Sequence, residues 1–190
     1  MSQIWMQAVR SLTQKHQTAS EERRRVVAGI TGGIALAIAG LPRQVSAKAA
    51  ESFALPRLVA SAKDSSALVS LASFKGKWIY LDFWASWCTP CRLSFPWMQK
   101  MHARYQPKGL EIVAICLNRD ADKGRQFLAR EASEFTVLWD QQADTAKRYG
   151  VAAMPSSYLI DPKGLLLSGH AGFTPAIARK LEAEFEKLLG

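Results

Sequence analysis

Trp78-Ile79-Tyr80-Leu81-Asp82-Phe83-Trp84-Ala85-Ser86-Trp87-Cys88-Thr89-Pro90-Cys91 is the stretch that decides the fold. Trp78 to Trp84 is nearly all apolar and aromatic, the pattern of a central strand buried on both faces. Two cysteines follow at i and i+3, where a helix opens that should run from about Pro90 to Tyr105. In a first helical turn that spacing holds two thiols within disulfide-forming distance. The helix N-terminus turns unpaired N–H groups and its positive dipole end toward the first sulfur. A thiolate is thereby stabilised, and such motifs can lower a cysteine pKa from about 8.5 to between about 3.5 and 7.5. Cys88, nearer the end, should be the exposed attacker; Cys91, one turn in, should be shielded and act second. Pro90 has no N–H to offer, which is harmless in a first turn.

A zinc half-site and a structural disulfide use the same spacing. Zinc needs two further ligands, and the sequence has no second CxxC and no paired histidines. His102 and His170 are isolated, so no metal site and no bound cofactor is expected. A strand before and a helix after is the setting of a redox pair. Asp82 is the exception inside its strand. Alternation places Tyr80, Asp82 and Trp84 on one face, among apolar neighbours. A buried carboxylate there is costly, and its pKa should rise; an exposed strand end is the other placement. Cys116, in a later apolar run, reads as a small buried hydrophobe. Trp78, Trp84, Trp97 and Trp139 read as core, His102 as surface, and His170 as a loop or strand-end residue.

Outward from this centre the chain alternates strands and helices. Phe53 to Val59 and Leu68 to Leu71 read as short strands or a hairpin, and Lys75-Gly76-Lys77 as a turn. Pro96 lies inside the first helix and should kink it. Leu110 to Leu117 is a second apolar strand. Asp120 is a plausible N-cap for a helix reaching about Arg130. Phe135 to Trp139 is a strand, and Thr145 to Tyr149 lies in a helix ending at Gly150. Tyr158 to Ile160, the turn Asp161-Pro162-Lys163-Gly164, and Leu165 to Ser168 form a hairpin. Ile177, Leu181, Phe185 and Leu188 repeat at helical spacing on a closing helix. The order is β-β-β-α-β-α-β-α-β-β-α, an α/β fold with a mostly parallel sheet and late antiparallel strands.

Tyr80 to Cys91 resembles the active-site segment of the thioredoxin superfamily. Pro96, five after the second cysteine, is similar to that family's helix-kink proline. Met154-Pro155-Ser156 before an apolar strand resembles its cis-proline loop. The resemblance implies a cis bond before Pro155, beside the cysteines, with Met154 and Pro155 offering backbone to an extended substrate. It implies that Trp87 flanks the thiols and shapes the docking surface. It also makes Asp82 the candidate proton shuttle for Cys91. Between Cys91 and Pro155 lie two strands and two helices, more than a plain thioredoxin carries. This extra βα insert, the leading hairpin and Val151-x-x-x-Pro155 with Ile160-Asp161-Pro162-x-Gly164 resemble the TlpA/ResA-like exported thiol–disulfide oxidoreductases. The likeness runs from about Phe53 to Leu189 and implies a thioredoxin-like fold: a central mixed sheet flanked by helices. One departure stands out: ResA-like members often carry Glu three residues after the second cysteine, where this chain has Ser94.

The 190 residues, 48% hydrophobic and 22% charged, suit one globular domain with a segment to spare. Three cysteines are too few for a disulfide-stapled mini-protein. No Lys/Arg block is interleaved with aromatics, which argues against a nucleic-acid platform. Residues 1–47 hold six Lys/Arg against two acids, which is +4 of the formal +9. Arg23-Arg24-Arg25, the uncharged run Val26 to Leu41 and Val45-Ser46-Ala47 read as a secretory signal peptide. The run falls short of the roughly 20 apolar residues of a spanning helix. Arg23-Arg24-x-Val26-Val27, a long n-region and Arg43 before the cut resemble a twin-arginine signal, though Glu22 stands where Ser or Thr often precedes the pair. The alternative is an uncleaved membrane anchor. Both place residues 48–190 outside the cytoplasm, in the periplasm.

The expected activity is exchange of a Cys88–Cys91 dithiol or disulfide with disulfide-bearing protein substrates. A reductase there needs a membrane or periplasmic electron donor, because that compartment is kept oxidising. A copper(I)-handling module is the alternative, since soft thiolates suit that ion. N-terminal sequencing of the exported protein should return a chain beginning near Lys48; an intact Met1 would mean an anchor.

Overall fold

The computed structural model describes residues 48–58, 68–131 and 133–190. The signal-peptide or anchor reading of residues 1–47 therefore lies outside the described residues. Among those described, no helix is long and apolar enough to cross a membrane.

The strand expected at the centre is there. β3, Trp78–Trp84, pairs in parallel with β4, Leu110–Cys116, on one side and antiparallel with β6, Ser156–Ile160, on the other. β5, Thr136–Trp139, and β7, Leu166–Ala171, are the edges of a five-stranded sheet ordered β5-β4-β3-β6-β7. β1, Ala54–Pro56, and β2, Leu68–Ser70, form the small antiparallel hairpin sheet. The expectation of a mostly parallel sheet needs correction. Both β6 contacts are antiparallel, so the sheet is evenly mixed. The reason is connectivity: β6 follows a one-and-a-half-turn helix and a short loop and enters the sheet against β3. The last strand also runs further than its apolar pattern suggests, which places His170 inside β7.

Helix α1, Thr89–Tyr105, continues through Pro96. α2 spans Ala121–Leu128, α3 Asp144–Tyr149 and α4 Pro175–Leu189. Their starts follow local chemistry. Asp120 accepts the N–H of Asp122 at 2.9 Å, and Thr174 accepts that of Ile177 at 3.3 Å. α3 ends at Gly150, whose φ of 70° is the left-handed value that glycine takes at no steric cost.

The two faces of β3 divide the core. Tyr80 and Trp84 join Cys91, Phe95, Met98 and Phe185 beneath α1, α2 and α4. Ile79, Leu81 and Phe83 join Val113, Ile115, Leu138 and Tyr149 beneath α3 and the N-terminal hairpin. Phe185 is the keystone that fastens α4. Its ring is fully buried and lies 5.6 Å from Tyr80, 5.7 Å from Tyr105 and 6.0 Å from Trp97. Trp97 also donates its indole N–H to Glu182 at 2.7 Å. Phe185→Ala should lower stability by about 3–5 kcal/mol, the cost of emptying an aromatic site, read as a fall in the denaturant midpoint.

Asp82 sits in the middle of this layer with 1% of its surface exposed. The exposed strand-end placement is thus ruled out, because β4 and β6 flank the residue and α1 and α4 cover its face. Burial alone holds its carboxyl well above the ordinary value of 3.8. Near pH 3 folded and unfolded chains both carry the proton, and ionisation adds no cost to burial. As pH rises, the unfolded chain ionises first, so stability falls. Asp82→Asn should therefore raise Tm at about pH 7 and leave it unchanged at about pH 3; equal Tm at both would remove the buried charge from the account.

Candidate active site

The site is built where β3 and β4 end. Leu117 donates its N–H to the Trp84 carbonyl at 2.9 Å, extending the parallel ladder to the last residue of β3. Ala85–Trp87 then carries the chain to α1. Asn118 ties this loop down: it accepts the Ser86 N–H at 2.9 Å and donates to Ser86 Oγ at 2.8 Å. Its own carbonyl is held by the Trp139 indole N–H at 2.6 Å. Sequence reasoning passed over Asn118. The available signal was a polar residue directly after an apolar strand, which is common at any strand end.

Cys88 is the N-cap of α1, and its Sγ accepts the N–H of Cys91 at 3.3 Å. A sulfur in that position faces the positive end of the helix, which favours its anionic form when the pair is reduced. The two cysteines are disulfide-bonded, with Cα atoms 5.3 Å apart. Cys91 is fully buried, and Ser94 gives its hydroxyl to the Cys91 carbonyl at 3.0 Å. The expected order of depth holds, but Cys88 is not the freely exposed residue anticipated. Only 4% of it is exposed, since Trp87, Pro90 and Met154 share the groove wall with it.

That groove encloses about 490 Å³. Trp87, Cys88, Thr89 and Pro90 line one part of it; Ala152, Ala153 and Met154 line another. Trp87 is 65% exposed, a large ring left standing beside the thiol. The Met154–Pro155 peptide is cis, as the loop's resemblance implied. Pro155 itself is buried, and its carbonyl accepts the Gly172 N–H at 2.7 Å. It sets the loop, while Met154 presents the surface. Much of the remaining wall comes from α3 and the residue before it, including Lys147 and Ala143. Asp140 caps that helix, accepting the N–H of Asp144 and of Ala146 at 3.1 Å each. These α3 residues were not anticipated, because they lie far from the cysteines in sequence.

Asp82 is buried on the β3 face whose neighbours Tyr80 and Trp84 pack in one core with Cys91. Both its carboxylate oxygens are buried without a hydrogen-bond partner. Cys116 is buried and unpaired, and burial pushes its thiol up to about 12. Its Sγ donates to Asn118 Oδ1 at 3.3 Å, so it braces the loop that carries Cys88. His102 is half-buried, its ring edge-on to Phe135 at 6.2 Å rather than free at the surface. Among the described residues no cluster of three or more His, Cys, Asp or Glu is placed to hold a metal ion.

Comparison with known proteins agrees with this geometry. The AhpC/TSA family model matches residues 47–168. A thiol-disulfide oxidoreductase ResA of Bacillus thuringiensis subsp. konkukian is 34% identical over 99 residues, covering 52% of this chain and 57% of that protein. ResA of Oceanobacillus iheyensis is 38% identical over 96 residues, covering 50% of each. The alignments thus span about half the length of these curated relatives. A crystal structure from Chlorobium tepidum, described as a candidate thiol:disulfide interchange protein DsbE, superposes with a TM-score of 0.70 at 44% identity. It covers 76% of this chain and 97% of that one. The family model, which matches well over half of the residues, means that this chain belongs to the AhpC/TSA family; in sequence and fold it is similar to thiol-disulfide oxidoreductases of the ResA and DsbE type.

Proposed function

We propose that this protein is an exported thiol–disulfide oxidoreductase acting on disulfides of other proteins. One observation carries the reading: Cys88 caps the helix that holds Cys91, on the wall of an apolar groove bordered by the Met154–Pro155 loop. In the reduced pair the Cys88 thiolate attacks a substrate disulfide. One substrate sulfur leaves as a thiolate, and the other stays bonded to Cys88. Cys91 then gives up its proton and attacks Cys88 Sγ. The Cys88–Cys91 bond forms, and the second substrate sulfur departs. Asp82 receives the Cys91 proton: a carboxyl whose affinity for protons is raised by burial is matched to a thiol better than an ordinary carboxylate is. Trp87 and Met154 hold an extended segment of the substrate across the groove, with Pro155 setting the loop's course.

The direction of work is reductive, with electrons supplied by a membrane or periplasmic donor. The basic, Ala/Gly-rich leader supports export, cleaved or kept as an anchor. In a compartment kept oxidising the pair rests as a disulfide, so reduction of substrates requires a dedicated feed.

Insulin-disulfide reduction with dithiothreitol should be fast for the wild type and fall to the uncatalysed rate for Cys88→Ser. Cys91→Ser should instead accumulate a covalent mixed disulfide with substrate, visible on a non-reducing gel. Redox titration of the pair should give a potential near the roughly −270 mV of thioredoxin; a value near about −120 mV would make the protein an oxidant.

A further inference from the structure

Asp82, Ser157 and His170 lie directly opposite one another on three adjacent strands, β3, β6 and β7. Partners opposed in antiparallel pairs point to the same face, with Cβ atoms about 4.5–5.5 Å apart. The face is the one covered by α1 and α4, because Tyr80, Trp84 and Leu159, which share its alternation, all pack into that core. All three polar residues are shielded: Asp82 and Ser157 are 1% and 4% exposed, and the His170 side chain 7%. Neither carboxylate oxygen of Asp82 nor Nε2 of His170 has a hydrogen-bond partner.

The row reaches the surface on α4. His170 Nε2 lies 3.6 Å from Glu184 Oε2, and 27% of the Glu184 side chain is exposed. Ser168 Oγ bonds the same carboxylate oxygen at 3.0 Å and holds it over β7. A polar file thus crosses a layer that is otherwise aromatic and aliphatic, from the buried carboxyl to solvent. Unpartnered buried polar groups cost stability, and a hydrocarbon row would pack there without that cost.

We propose that Ser157 and His170 form a proton line that links Asp82 to solvent at Glu184. This rests on the reading of Asp82 as acceptor for the Cys91 proton and extends it. The Cys91 thiol passes its proton to the Asp82 carboxylate. The Cys91 thiolate bonds to Cys88 Sγ and expels the substrate thiolate. Protonated Asp82 then gives its proton to the Ser157 hydroxyl, which passes its own to His170 Nε2. The imidazolium releases a proton to water beside Glu184, and Asp82 is again a carboxylate. A serine hydroxyl rotates between donor and acceptor roles, as this exchange requires. Tyr80, the other titratable group on this stretch of the face, shares a hydrogen bond with Ser157, so the Ser157 hydroxyl must turn from Tyr80 to serve the line; burial and the Asp82 charge hold the Tyr80 hydroxyl protonated, and it does not take the proton itself.

The test uses dithiobis(nitrobenzoate) with the reduced protein in stopped flow. The first nitrothiolate released reports capture by Cys88, and the second reports attack by Cys91. Ser157→Ala and His170→Phe should each slow the second release relative to the first by about tenfold or more, on the way to the roughly 10²-fold scale of positioned proton transfer. Both should raise its solvent deuterium isotope effect, and Ser157→Thr, which keeps the hydroxyl, should restore the wild-type ratio. His170 lies on an edge strand, and an unchanged Tm of the Phe variant would show that the fold is kept. In an Asp82→Asn background neither change should slow the step further. If Asp82→Asn slows the second release while the other two variants leave ratio and isotope effect unchanged, the line is wrong and the shuttle stands. Slowing that adds to that of Asp82→Asn would mean a packing role and would also overturn the line. If Asp82→Asn itself leaves the second release unchanged, the shuttle reading fails and the line with it.

Discussion

The structure depends on one contact, the Cys91 N–H pointing at Cys88 Sγ. It exists only because β3 delivers the chain to the first turn of α1 in a fixed pose. Every bond in the connecting loop serves that delivery. The Trp84 carbonyl is claimed by Leu117, and the Ser86 amide and hydroxyl by Asn118. Asn118 is in turn held by Trp139 and by Cys116. The third cysteine therefore has a place in the architecture without taking part in exchange: burial keeps it protonated, and its proton is spent on the asparagine that sets the loop.

Placing a reactive sulfur at a helix start requires that the helix be immovable. Two aromatic clusters meet this need. Trp84, Phe95 and Phe127 lie within 4.9 Å of one another, centroid to centroid, beneath the first turns of α1. Tyr80, Trp97 and Phe185 clamp the middle of α1 against α4. Against such packing a free carboxylate in β3 is a liability, since it loses hydration and gains no hydrogen bond in return. In the proposed exchange that cost is the condition for trading a proton with a thiol. Cys91 packs with its face neighbours Tyr80 and Trp84, and Ser157 and His170 share its row.

Much of this was legible in the chain. β3 could be bounded to the residue because a doubly buried strand leaves a continuous apolar run, and α1 to within one residue, starting at Thr89 rather than Pro90, because its cysteines and Pro90 mark the first turn. The rise in the Asp82 pKa followed from one acid in that run. Other features left weaker traces. β7 was cut short at Ser168 because its later residues, Gly169 and His170, carry no apolar alternation; the partner strand, not their own propensity, holds them extended. The antiparallel entry of β6 was hidden for a similar reason, since strand direction depends on the connection rather than on composition. Cys88 looked exposed because a helix end is exposed by default; the wall that shelters it comes partly from Met154, sixty-six residues further along.

The sequence by itself determined the elements, the reactive pair and the chemistry available to it. Those properties are local: period, cap and spacing act within one or two turns of chain. Only the tertiary structure decided which distant side chains surround the pair. Asn118, Lys147 and Met154 meet the Cys88 region because strands β3, β4 and β6 are neighbours in the sheet. Register then sets Asp82, Ser157 and His170 abreast, since a shift of one residue would have turned each to the opposite face.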